Sequence, residues 1–184
     1  MLRWIEATAT VRRVTLLFIL AGVLYAVMMS VTITRLQRAA GGLEIFDMRP
    51  LGYTVKEGRE LLSAMSSGAK DFYRYVQIPL DFDYPSLLGL FGAGTLALLR
   101  RRVRLPLWLL ALPLLAALFD YLENIFVFIL LGSNGPAMLL RIASLCSVLK
   151  STFTTVFLTL ILVSGVTLFL KWALRRPGGR HANT

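Results

Sequence analysis

The chain has 184 residues, 57% of them hydrophobic, and a formal net charge of +10. A mean hydropathy of +0.69 excludes an ordinary water-soluble domain. The basic residues gather at the ends of apolar runs, as interfacial anchors do, so the charge points to membrane topology and acidic-lipid contact and not to nucleic acid. The one cysteine, Cys146, excludes an intrachain disulfide and a cysteine metal cage, and reads as a small packed hydrophobe.

Four apolar spans follow in chain order, each able to cross a hydrocarbon layer of ~30 Å as a helix. The first, residues 14–34, carries no charge and ends at Arg35 and Arg38, which reads as a retained anchor and not a cleaved leader. The second ends at Arg100 and must begin near Val76 to reach full length, which draws Pro79, Asp81, Asp83 and Pro85 into or beside the membrane. The third covers residues 105–131 and the fourth 151–170, with the apolar stretch 137–148 read as an interfacial helix or an extension of the fourth. The expected fold class is all-α: a single membrane domain over residues 1–184, built as a four-helix transmembrane bundle with a structured helical outer loop and a disordered tail at 175–184.

Arg100, Arg101, Arg102 and Arg104 in the link between spans two and three place that link, and both termini, on the cytoplasmic side of a plasma or inner membrane. The basic residues of the 35–75 loop stand against this orientation. Within that loop Thr54-Val55-Lys56-Glu57 fits a capping box and predicts a short amphipathic helix over residues 55–66, with Gly68 as its stop. Residues 69–77, with Phe72, Tyr73 and Tyr75, predict a segment at headgroup level, so the loop forms a lid over the outer mouth.

Acidic groups inside apolar spans are costly and mark functional candidates. Asp120, Glu123 and Asn124 stand at i, i+3 and i+4 and share one helix face, which Val127 extends. Counted from the arginine link, Asp83 and Asp120 lie at about 25 Å and 24 Å, and Asp81 and Glu123 at about 28 Å, if both helices are upright. Asp81, Asp83, Asp120, Glu123 and Asn124 are therefore the candidate ligand-binding residues, with an unwound turn expected near Pro79 or Pro85. Four carboxylates at one low-dielectric level cannot all stay ionised without partners.

Three readings compete for this cluster. Arg141 and Lys150 are candidate counter-ions that would neutralise it as internal salt bridges. The second reading is an outer-leaflet acidic pocket that binds or handles a lipid-like or cationic small molecule or a proton. The third is a lipid-modifying enzyme using an acid and a carboxylate. A rival of another class is a non-catalytic accessory subunit of a larger membrane complex, docked through Gly89, Gly92 and Ala93, where small residues allow close helix approach.

The remaining features carry less. Thr152, Thr155 and Thr159 line one side of span four, suited to interhelical hydrogen bonds or a polar passage, and Trp4, Trp108 and Trp172 read as interfacial anchors. His181, the only histidine, sits in the tail. With no glycine-rich nucleotide loop, histidine metal motif or serine–histidine dyad, no metal or cofactor is expected.

Leu80-Asp81-Phe82-Asp83-Tyr84-Pro85, then Phe119-Asp120-Tyr121-Leu122-Glu123-Asn124, with the loop stretch from Phe46 to Tyr53, resembles the motif set of an uncharacterised group of small four-span membrane proteins. The resemblance implies a four-span fold and no activity. In architecture alone the chain is also similar to the emopamil-binding and sigma-2-receptor superfamily, which binds sterols and cationic amphiphiles. The Asp120 and Glu123 pair departs from that superfamily, so isomerase activity is not carried over.

Overall fold

The computed structural model describes residues 1–174. The expected tail, with His181, lies outside them. Six helical segments make up the chain: α1 (Leu2–Thr8), α2 (Val11–Ala39), α3 (Val55–Ala64), α4 (Ser67–Arg100), α5 (Leu107–Leu131) and α6 (Ala137–Leu174), and no strand occurs among the described residues. Four of them, α2, α4, α5 and α6, are long and apolar enough to cross a membrane. Helices are the expected solution, because only intrahelical bonds satisfy a lone segment's backbone in hydrocarbon.

Local chemistry sets the helix ends. Thr10 caps α2 by accepting from the Arg13 amide at 3.3 Å. Thr54 and Glu57 form the reciprocal capping box at the start of α3. Gly132 closes α5, and α6 begins directly after Gly135-Pro136, where Gly135 has φ +65°.

Several boundaries differ from the sequence expectation. The chain breaks at extended Met65 and restarts with Ser66 as the cap of α4, so Gly68 lies inside a helix and is no stop. The aromatic stretch at 69–77 is continuous with span two and does not form a separate segment. Pro79 and Pro85 cause no unwinding: the backbone runs as α-helix from Ile78 to Arg100. The irregularity falls one turn earlier, as a π-helical turn at Tyr73–Gln77, which frees the carbonyl geometry that a following proline disturbs. Of the two readings of 137–148, extension of the fourth span is the one found, in one helix of 38 residues.

α4 is the central helix, in contact with α2, α5 and α6, while α5 and α6 form the most extensive pair. A second π-helical turn, Met28–Ile33 in α2, meets the one in α4. There buried Thr32 donates to the Gln77 side-chain oxygen, and the Gln77 amide lies 3.7 Å from the Met28 sulfur. The small residues of α4 are used within the chain. A Cβ on Gly89 would stand 3.1 Å from the Ala117 methyl, and one on Gly92 would stand 2.8 Å from Pro113 and 2.9 Å from Phe157.

Two apolar cores result. One lies toward the α2–α4 loop and includes Leu36, Phe46, Leu61, Tyr73, Val127 and Leu140. The other lies toward the arginine link and includes Ala9, Leu96, Ala97, Leu110, Ala116 and Phe157. At that end α1 is tied down by the Glu6–Arg100 ion pair and by Arg101, which donates to the Glu6 and Ala9 carbonyls at 2.6 and 3.0 Å. Trp4, Trp108 and Trp172 are all exposed, and outward-facing Phe18, Ile19, Leu162, Val166 and Phe169 present the apolar surface that lipid requires.

Candidate functional site

Three buried polar side chains project from one face of α5: Asp120 is 8% exposed, and Glu123 and Asn124 are fully buried. Helical spacing places them together, and Val127 continues the face as a fully buried apolar residue. Opposite, α6 presents Ser147 and Lys150 at i and i+3. The Lys150 ammonium lies 2.9 Å from an Asp120 oxygen and 2.6 Å from Glu123 Oε2, bridging the two acids. Ser147 donates to the other Glu123 oxygen.

From α4, buried Asp81 accepts a 2.8 Å hydrogen bond from the Asn124 amide nitrogen. The loop between α2 and α3 adds a fourth acid. A short 3₁₀ turn, Phe46–Met48, carries Asp47 inward, where its carboxylate accepts from the Tyr73 hydroxyl at 2.8 Å. Burial pushes the Asp47 carboxyl above its usual range, and the Asp120 charge adds to this; Lys150 and the Tyr73 hydroxyl oppose it. Burial, with Glu123 and Asp47 nearby, likewise raises the Tyr53 hydroxyl.

Close approach of backbone to α6 holds the loop in this position. Gly52 has φ +79°, and a Cβ there would stand 2.7 Å from the Ser144 hydroxyl oxygen. The Tyr53 amide donates to that same oxygen at 2.8 Å. Beneath the loop a cleft of about 340 Å³ runs between Tyr25 of α2, Tyr84 and Leu88 of α4, and Ser151, Thr154 and Thr155 of α6. Asp47, Asp120 and Lys150 form its polar wall. The Tyr25 and Tyr84 rings stack with centroids 5.7 Å apart.

Not every sequence candidate joins the cluster. Asp83 is exposed and lines a different groove, of about 430 Å³, with Leu20, Val23, Leu24, Val27, Ser86 and Leu87. Arg141 is exposed and makes no ion pair among the described residues. Conversely, Asp47, Tyr53, Tyr73 and Ser147 join the site although the sequence pattern does not mark them as site residues. Ser147 had a signal, since it stands at i−3 from Lys150 on the same helix face. Asp47 has a weaker one, an acid between Phe46 and Met48 in a largely apolar stretch of the loop. Some buried polar atoms keep no partner: Asp47 Oδ1, the Tyr53 hydroxyl and Asn124 Oδ1. Among the described residues no three His, Cys, Asp or Glu side chains are arranged to hold a metal ion.

The arrangement can hold and relay protons between acids and hydroxyls, and can present negative charge to a cation. Four helices long and apolar enough to span a bilayer make this an integral membrane protein of the polytopic, all-α class. No protein-family model, curated protein or solved structure matches the chain.

Proposed function

We propose that the cluster takes up a proton, or the cationic group of a membrane-borne small molecule, through the cleft beside Asp120 and Lys150. The observation that carries this reading is a charge imbalance. Four acids, Asp47, Asp81, Asp120 and Glu123, meet a single ammonium, Lys150, in mostly buried positions. In a low-dielectric interior such an excess calls for protons or an added cation. The salt-bridge reading accounts for Lys150, Asp120 and Glu123, and leaves Asp47 and Asp81 uncompensated. On the positive-inside reading the cluster lies toward the outer leaflet, under the 35–75 loop.

Gly89 packs against α5, Gly92 packs against α5 and α6, and Ala93 is fully buried, so an accessory subunit would dock through another surface of the chain. The test uses the full chain in detergent micelles with dodecylamine as a cationic probe and dodecanol as its neutral counterpart. Dodecylamine raises the unfolding temperature, dodecanol does not, and Asp120→Asn removes the difference. Equal shifts with both probes overturn cation uptake. For the proton, infrared spectra across pH 5–9 should then show a protonated-carboxyl band that Asp47→Asn diminishes; absence of any such band ends the reading.

A further inference from the structure

A second site of opposite charge lies on the other side of Asn124. Arg74, in the first half of α4, has a guanidinium with no hydrogen bond or ion pair among the described residues, and its Nε is buried without a partner. It lies over the Phe128 ring of α5, 4.4 Å from the centroid, and 5.4 Å from the Tyr75 centroid. From there a groove of about 320 Å³ runs between α4 and α5, walled by Ile78, Pro79, Phe82, Ile125, Phe128 and Ile129. Asn124, whose Oδ1 is buried and unpartnered, closes its deep end and separates it from the acidic cluster.

A charged head at one end of an apolar furrow is the pattern of an amphiphile site. The length fits too: Gly132, which the Arg74 guanidinium touches, stands about 12 Å along α5 from Asn124, most of the ~15 Å depth of one leaflet's hydrocarbon. Phe82, Ile125 and Ile129 are each nearly half exposed, so the furrow opens sideways toward lipid and not toward the bundle interior. Guanidinium groups favour phosphate through a planar fork of donors, and stacking on an aromatic ring fixes that plane. Contact with the C-terminal end of α5 supplies part of the stabilisation Arg74 needs, through the helix dipole. It leaves the fork's hydrogen-bonding capacity unused.

We infer that the α4–α5 groove binds a membrane phospholipid of net negative charge, with its phosphate on Arg74 and one acyl chain along Phe82, Ile125 and Ile129. The inference is independent of the acidic cluster and of its proposed role.

The test places a fluorescent reporter in the groove by Phe82→Trp in the full chain in detergent micelles, with the signal of the parent chain subtracted. Phosphatidylglycerol and phosphatidylcholine carrying brominated acyl chains are titrated as quenchers. The reporter is quenched at about 5-fold lower mole fraction of phosphatidylglycerol, the factor expected from one basic side chain near an anionic head. Arg74→Gln abolishes the preference while chain quenching persists, Arg74→Lys keeps most of it, and Asp120→Asn leaves it unchanged. Equal quenching by the two lipids overturns the inference, and so does a preference that survives Arg74→Gln. The headgroup comparison on the reporter alone decides the matter even if Arg74→Gln does not fold.

Discussion

Where Phe157 of α6 meets Pro113 of α5 and Gly92 of α4, the bundle closes by backbone approach and the contacts are all carbon. Two helical turns along α6, α6 and α5 meet through Lys150, Asp120 and Glu123. In lipid the first kind of contact gains little from hydrophobicity, because the surrounding chains are as apolar as leucine, so closeness of fit decides its strength. The second kind is strong only while every charge keeps its partner. One end of the molecule is therefore sensitive to volume, and the other to charge.

Lys150→Met breaks the comparison most severely. It keeps the side-chain length and removes the ammonium from two buried acids, and should cost about 3–5 kcal/mol, read as a lowered unfolding midpoint in detergent. Adding Glu123→Gln to that variant should restore part of the loss; no recovery would show that the cost is not electrostatic. Gly92→Ala probes the other end, where the new methyl would overlap Pro113 and Phe157, at about 1–3 kcal/mol by the same measurement.

A pH series sharpens the contrast further. Because burial raises the Asp47 carboxyl, the folded chain binds that proton more tightly than the unfolded chain does. Its contribution is complete below the unfolded aspartate range, near about 3.9, and is lost as pH rises through the folded value. The unfolding midpoint of the native chain should fall across that window, and that of Asp47→Asn should fall less steeply. Gly92→Ala should shift the curve without changing its slope. The smallest effects belong to Asp83→Asn and Arg141→Gln, exposed and unpaired, each within about 0.5 kcal/mol of the native chain.

The four spans are legible because apolar runs of about 20 residues mark membrane-crossing helices, and the Asp120, Glu123 and Asn124 face is legible because i, i+3, i+4 is a local relation. Asp81 and Asp83 show where such reading stops. Depth along a helix follows from counting, but two residues apart means about 200° of rotation, so both could not face one interior. Their count from Arg100 matches that of α5's acids from Arg104 but carries no direction. Asp47 and Tyr73 were out of reach for another reason: they meet only once the loop folds against α6, through Gly52 at Ser144, a contact between distant parts of the chain. The start of the fourth helix stays open between two readings in the sequence because Arg141 and Lys150 look like a boundary, whereas half-buried Lys150 is neutralised by its acids and the helix runs straight through.

The facing π-helical turns, Met28–Ile33 in α2 and Tyr73–Gln77 in α4, bear on how this chain can tolerate deletions. Each wide turn accommodates one residue more than an α-helical path between the same ends. Shortening either segment by a single residue there lets the helix revert to regular winding, with the surfaces above and below still in phase. The same deletion in the regular stretch from Val11 to Val27 turns everything beyond it by about 100°. A one-residue loss at Met28–Ile33 thus sacrifices the Thr32–Gln77 stitch and spares the alignment of the rest of the helix.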